Sequence, residues 1–134
     1  MAEKMFRLEI VSPEKVFYDN DVYMVEYNTT EGEVGVLAGH IPMTQILAPG
    51  VLAITENEDK VRKAALHAGF VEISPEKVTM LAESVEWPEE IDIKRAEEAR
   101  IRAERRIGSG ENADLARAEL ALKRALIRES VAKM

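Results

Sequence analysis

The chain has 134 residues, 46% of them hydrophobic, with 18 basic against 25 acidic side chains and a formal net charge of -7. That length suits one domain or a small domain with an appendage, and the acidic balance argues against free-standing nucleic-acid binding, because phosphate backbones reward a basic surface. The absence of cysteine excludes disulfides and thiolate metal sites and fits a reducing compartment. The opening MAEKMFRLEI carries no apolar run, and no stretch approaches ~18 consecutive apolar residues, so a soluble intracellular chain without signal peptide or membrane insertion is expected.

Residues 1–86 read as short strands between turns. FRLEIV at 6–11 alternates and places Phe6, Leu8 and Ile10 on one face. SPEK follows at 12–15 and recurs at 74–77, each time after a strand-like run. Serine at the first position and proline at the second suit a tight turn, and nothing around the two copies matches, so recurring turn chemistry explains them better than duplication. VYMVEY at 22–27, GVLAIT at 50–55, FVEI at 70–73 and KVTMLAE at 77–83 are further strand candidates, and NEDK at 57–60 reads as a hairpin tip. In GEVGVLAGHIP, residues 32–42, the glycine spacing fits neither GxGxxG nor a P-loop, and turns and bulges account for it. Many strands at this spacing predict a β-sandwich or flattened barrel.

After Trp87-Pro88 the period changes. Proline tolerates a helix start, and Glu89, Glu90 and Asp92 favour the positive end of a helix dipole. From Asp92 to Ile107 nothing breaks a helical stripe of Ile93, Ala96, Ala103 and Ile107. GSGEN at 108–112 stops this helix, with Asn112 available to cap the next. Spacing resumes through Leu115, Ala118, Leu122, Ala125 and Leu126. A five-residue connection makes the two helices antiparallel neighbours. The predicted fold is α+β, mainly β: a β-sandwich over 1–86, then an antiparallel two-helix hairpin over 87–134. The alanine-rich stripes bury little area, so the hairpin contact should be thin.

The hairpin also holds eight of the ten arginines. Arg95 and Arg102 return to one face of the first helix, and Arg117, Arg124 and Arg128 follow spacings of seven and four on the second. Converging guanidinium groups repel, so such a cluster needs carboxylates or a bound anion. Two explanations stand: solvated pairing within each helix (Glu98 with Arg102, Glu119 with Lys123), or a site for phosphates, whose geometry the arginine fork matches. His40 and His67 lie in unrelated segments without a partner at ligand spacing, which makes zinc improbable. No nucleophile elbow or carboxylate pair suggests an enzyme. The hairpin holds no aromatic residue for base stacking, which disfavours RNA.

Taken together, LEIVSPEKVFY (8–18), EGEVGVLAGHIPM (31–43), APGVL (48–52), AGFVEI (68–73), IDIKRA (91–96) and RAELALKRA (117–125) resemble, in order and spacing, the epsilon subunits of bacterial F-type rotary ATP synthases. The resemblance covers essentially the whole chain. It implies a non-catalytic central-stalk subunit on the cytoplasmic face of the cell membrane, peripheral to it. The sandwich would grip the gamma subunit and the c-ring, with Glu31, Glu33 and His40 at the rotor contact. The helices would form a movable arm that inhibits hydrolysis when extended toward an acidic segment of the catalytic beta subunits. The complete motif Ile91-Asp92-Ile93-Lys94-Arg95-Ala96 further implies that ATP, as a regulatory ligand without a required metal, binds the folded hairpin. By the same resemblance Glu86, Ile91 and Asp92 would lie near the adenine, with Ala96 in the motif, and Arg95, Arg102, Arg124 and Arg128 would line the phosphates. A free-standing nucleotide sensor is the competing reading, but it would not require the EGEVGVLAGHIPM surface.

Overall fold

Alternation in the first strand sets the interior. Phe6, Leu8 and Ile10 are buried and the residues between them are not. The computed structural model describes residues 4–109 and 114–134. Eight strands come first: β1 (Phe6–Val11), β2 (Val16–Val22), β3 (Met24–Thr29), β4 (Gly32–Leu37), β5 (Met43–Leu47), β6 (Gly50–Asn57), β7 (Lys60–Ile73) and β8 (Lys77–Glu86). A 3-10 turn at Pro88–Glu90 leads to α1 (Ile93–Gly108) and α2 (Leu115–Ala132). The strands form a β-sandwich, with hydrogen-bonded order β2-β1-β8-β7-β5-β3-β4 and β6 bridging β3 and β7. All pairs are antiparallel except β1 with β8.

β7 is long because it bends. Ala68 and Gly69 take φ of 40° and 132°, and β7 pairs with β6 before this point and with β5 after it. Only glycine suits position 69, since a Cβ there would collide with the Leu81 carbonyl. Inward side chains such as Leu8, Val25, Tyr27, Leu52, Ile54, Leu66 and Met80 fill one continuous core. Both SPEK segments close alike: the serine N–H and hydroxyl donate to the lysine carbonyl, at 2.9 and 3.2 Å for Ser12–Lys15 and 2.8 and 2.9 Å for Ser74–Lys77. NEDK is the β6–β7 tip, where the Asn57 side chain accepts the Asp59 N–H at 3.0 Å.

Several expectations need correction. β2, β4, β5 and the first half of β7 were not among the predicted strands. In β2 the exposed run Asp19-Asn20-Asp21 hides the period, and β5 is largely exposed. Gly32 and Gly39 do serve turns, with φ of 123° and 82°, but Gly35 sits inside β4. VYMVEY is split, Val22 ending β2 and Met24 opening β3. Pro88 begins a 3-10 turn rather than the helix. α1 starts at Ile93, capped by Asp92, whose carboxylate accepts the Arg95 N–H at 3.1 Å. Asn112, the expected second cap, lies outside the described residues, and the cap observed on α2 is Asp114, which accepts the Arg117 N–H at 3.2 Å. Of the predicted stripes the small members are buried (Ala96, Ala103, Ala118, Ala125), whereas Ile93, Leu115 and Leu126 are exposed.

The junction is anchored on the sandwich side. Trp87 stacks on Phe17 with centroids 4.3 Å apart, meets Tyr18 edge-on, and carries the Arg62 guanidinium 3.8 Å from its ring centroid. Beyond it, Ala65 of β7, Ile91 and Val131 of α2 form a small buried cluster that docks the hairpin. No helix among the described residues is long and apolar enough to cross a membrane.

Candidate functional site

Where the end of β8 meets the hairpin, a cavity of about 400 Å³ opens, within the range of roughly 300–1,000 Å³ usual for ligand sites. Arg95, Arg102 and Arg128 line it with Glu86, Glu90 and Asp92, and Ala96 and Ala99 form its floor on α1. The helical spacing explains this geometry. Arg95, Ala99 and Arg102 share one face of α1, and small alanines leave room between the two guanidinium groups. Arg128 reaches the cavity from α2, its Nε donating to Glu86 Oε1 at 2.7 Å. Arg95 and Arg102 make no ion pair among the described residues.

The pairing within each helix, one of the two explanations for the arginines, is likewise not formed among the described residues. Neither Glu98–Arg102 nor Glu119–Lys123 is an ion pair among the described residues. The arginine that is saturated is Arg100, bound to Glu104 at 2.6 Å and to Glu129 of the facing helix at 2.8 Å. That cross-helix lock was invisible in sequence, because its partners lie 29 residues apart. The cavity therefore holds two cations without carboxylate partners beside a third that shares one carboxylate. Such a site attracts a polyanion, whose oxygens can accept from several forks at once.

Not every predicted residue lines the cavity. Ile91 is buried in the docking cluster with Ala65 and Val131, so it packs rather than faces the opening. Asp92 lines the cavity while capping α1. Arg124 is absent from the cavity wall, and its Nε is buried without a hydrogen-bond partner. Arg117 sits elsewhere, near Arg106 and Asp114. Sequence reasoning weighed His67 only as a zinc ligand; it is 2% exposed and has neither ring nitrogen hydrogen-bonded. Burial first, then the charges of Arg128 and Arg124, hold its pKa down to about 4. Among the described residues no group of three or more His, Cys, Asp or Glu could hold a metal ion.

On the sandwich the predicted rotor residues separate. Glu31 stands in the β3–β4 turn, where Thr29 Oγ1 accepts its N–H at 3.1 Å, and Glu33 lies just inside β4 opposite Asn28. His40 lies beyond the other end of β4, with Nδ1 2.9 Å from the Ile41 carbonyl oxygen. A different feature stands out: Val11, Leu81, Phe70 and Ile46 are successive cross-strand neighbours on β1, β8, β7 and β5. Phe70, Leu81 and Ile46 are all exposed, giving an apolar stripe across four strands. Its signal was present in FVEI and KVTMLAE, where apolar residues occupy both faces. A larger hollow of about 640 Å³ on the outer face of β3, β4, β6 and β7 has Lys63 as its one cation against Glu26 and Glu33, which does not suit an anion.

Residues 5–88 match the family profile described as "ATP synthase, Delta/Epsilon chain, beta-sandwich domain", and residues 89–133 match "ATP synthase, Delta/Epsilon chain, long alpha-helix domain". The ATP synthase epsilon chain of Clostridium novyi is 40% identical over 125 residues, covering 93% of this chain and 95% of that one. Those of Shouchella clausii and Bacillus pumilus are 42% and 41% identical, covering 95% and 96% of this chain and 94% and 98% of theirs. In structure, a chain of the Euglena gracilis mitochondrial ATP synthase (OSCP/F1/c-ring, rotational state 1) superposes with a TM-score of 0.82 at 26% identity, over 94% of this chain and 80% of that chain.

Proposed function

The chain belongs to the ATP synthase delta/epsilon family, and on that premise we propose that it is a non-catalytic epsilon subunit of the central stalk whose hairpin is governed by ATP. The sandwich joins the gamma subunit and the c-ring and so couples ring rotation to the catalytic head of a proton-translocating synthase, peripheral to the cytoplasmic face of a bacterial membrane. The apolar stripe of Ile46, Phe70 and Leu81 suits the gamma contact, and the acidic β3–β4 turn suits the ring. The hairpin inhibits hydrolysis when it extends toward acidic segments of the beta subunits. ATP binds the docked hairpin and favours the non-inhibitory state. A ligand shifts such an equilibrium only through differential affinity, and a cavity assembled from α1, α2 and β8 exists only when the hairpin is docked.

One observation carries the ATP reading: Arg95 and Arg102 face a cavity without carboxylate partners, beside Arg128. Calorimetric titration of ATP into the full chain tests it. Arg95→Ala, Arg102→Ala and Arg128→Ala should each weaken binding about ten- to a hundredfold, the loss of a charge-assisted hydrogen bond. Arg95→Lys should recover only part, because a point charge cannot reproduce the fork. Arg105→Ala should do little. Equal small losses at all positions, erased by moderate salt, would instead mean solvated charge. The exposed apolar stripe favours a stalk subunit over a free nucleotide sensor, and co-purification with gamma separates those two.

A further inference from the structure

The first SPEK turn has a contact that its twin lacks. Ser12 clamps the turn: its N–H and hydroxyl donate to the Lys15 carbonyl, and its Oγ accepts the Lys15 N–H at 3.3 Å. With its backbone fixed in this way, Lys15 donates from Nζ to Glu90 Oε2 at 3.1 Å, a partner 75 residues away in the chain. Glu90 belongs to the 3-10 turn and lines the cavity between β8 and the hairpin. The second SPEK turn closes alike, but its Lys77 pairs with Glu9 at 3.3 Å, and neither of those two lines the cavity.

Lys15 alters the charge balance of the cavity from outside its wall. Arg95, Arg102 and Arg128 face the opening together with Glu86, Glu90 and Asp92, three cations against three carboxylates. That wall alone offers a polyanion no net attraction. Two of the carboxylates are met from within the site: Glu86 by Arg128, and Asp92 by the Arg95 N–H at the start of α1. Glu90 pairs with no arginine among the described residues; its Oε1 accepts the Trp87 N–H at 2.9 Å, and its ion pair is with Lys15. The Trp87 N–H first, working against burial, and then Lys15 hold its carboxyl below the ordinary range, so its charge is present at neutral pH. A second cavity of about 320 Å³ shares Glu86, Glu90 and Arg128 with the first, and Lys15 lines it. The ammonium therefore stands just behind the wall that a bound anion would face.

We infer that Lys15 is a positioning residue of the anion site: it holds Glu90 and cancels its charge, which leaves the three arginines in excess for a polyanion. The inference rests on the ATP reading above and adds a residue from the sandwich to that site. An exposed ion pair contributes little to folding, so the loss of Lys15 should be felt by the ligand rather than by the fold. Without the ammonium, an uncompensated carboxylate faces the phosphates, and the repulsion grows with the charge of the ligand. Because the pair is open to solvent, salt should screen the effect.

Calorimetric titration of ATP and of ADP into the full chain at low ionic strength tests this. Lys15→Ala should weaken ATP about three- to tenfold and ADP less, with the difference shrinking as salt is added. Glu90→Gln keeps an oxygen for the Trp87 N–H and should bind ATP at least as tightly as the wild type. The double variant Lys15→Ala/Glu90→Gln should return to wild-type affinity. Lys77→Ala, which breaks the matching pair at the other turn, should bind as the wild type does. Unchanged ATP affinity in Lys15→Ala overturns the inference and leaves the ATP reading intact. A double variant as weak as Lys15→Ala also overturns it, since the lysine would then only brace the turn. Equal losses in Lys77→Ala and Lys15→Ala overturn it as well, in favour of a general effect of net charge. Failure of the wild-type chain to bind ATP overturns both readings.

Discussion

The sandwich and the hairpin are built from different kinds of buried surface. In the sandwich, leucine, isoleucine, valine, tyrosine and methionine interdigitate in one core, and each large side chain contributes roughly 1.5–3 kcal/mol through burial. The hairpin buries mainly Ala96, Ala103, Ala118 and Ala125 between its helices, and fixes itself to the sandwich through Ala65, Ile91 and Val131. Alanine permits close approach but removes little apolar area from water. Moving a two-state element from 1:99 to 99:1 requires ~5.5 kcal/mol, and a docking contact with only two large buried side chains is of that scale. The difference teaches that one chain can hold a rigid body and a displaceable one by changing only the size of its buried residues.

The largest effect should come from the core. Ile54→Ala should cost about 2–5 kcal/mol in urea unfolding and take both regions down together. If the hairpin's helicity survived such a loss, the idea that it depends on the sandwich would fail. Acid should act on the hairpin first. His67 is held at about 4 against its ordinary 6.5, so its contribution to docking is whole above pH 6.5 and lost as pH falls through about 4. The change is on the order of a few kcal/mol. Amide exchange should show α2 losing protection across that window while β8 keeps it, and His67→Ser should flatten the dependence. Equal loss in both elements would break the distinction.

Smaller effects sharpen the boundary. A chain ending at Trp87 should fold cooperatively. One ending at Glu86 should melt several degrees lower, because the stack on Phe17 and the Arg62 contact contribute about 1–2 kcal/mol. Identical melting of the two would assign Trp87 to the hairpin instead. Val131→Ala, the mildest change, should cost roughly 1–2 kcal/mol of docking and be visible in exchange from α2 but not in the sandwich's urea midpoint.

How much could be read beforehand follows from the range of each interaction. β1 was legible because its alternation is local, and the SPEK turns because serine, proline and lysine act within four residues. β2 and β5 were not, since their exposed polar positions belong to one face of a sheet whose other members are distant in sequence. The bend at Ala68–Gly69 concealed the length of β7 in the same way. At the site, the shared face of Arg95 and Arg102 was legible through helical spacing, whereas Ala96 entered only through the resemblance carried by IDIKRA. The pairing of Arg128 with Glu86, 42 residues apart, was not. Nor was His67, whose importance appears only when α2 lies across β7. The six-residue motif at 91–96 joined two roles in one run: Ile91 docks the hairpin, while Asp92 and Arg95 face the cavity.

The parallel pairing of β1 with β8 bears on how the chain comes into being. Its register runs from Arg7 beside Lys77 to Val11 beside Leu81. During synthesis β1 can find β2 at once across a four-residue turn, but its other edge stays open until more than half of the polypeptide has left the ribosome. Contacts of such high sequence separation fold slowly, and an open strand edge invites pairing with another copy. The acid excess of residues 1–87, 15 acids against 7 bases, then has a use that the finished fold conceals. Nascent chains of like charge repel one another through the interval in which β1 waits for its partner.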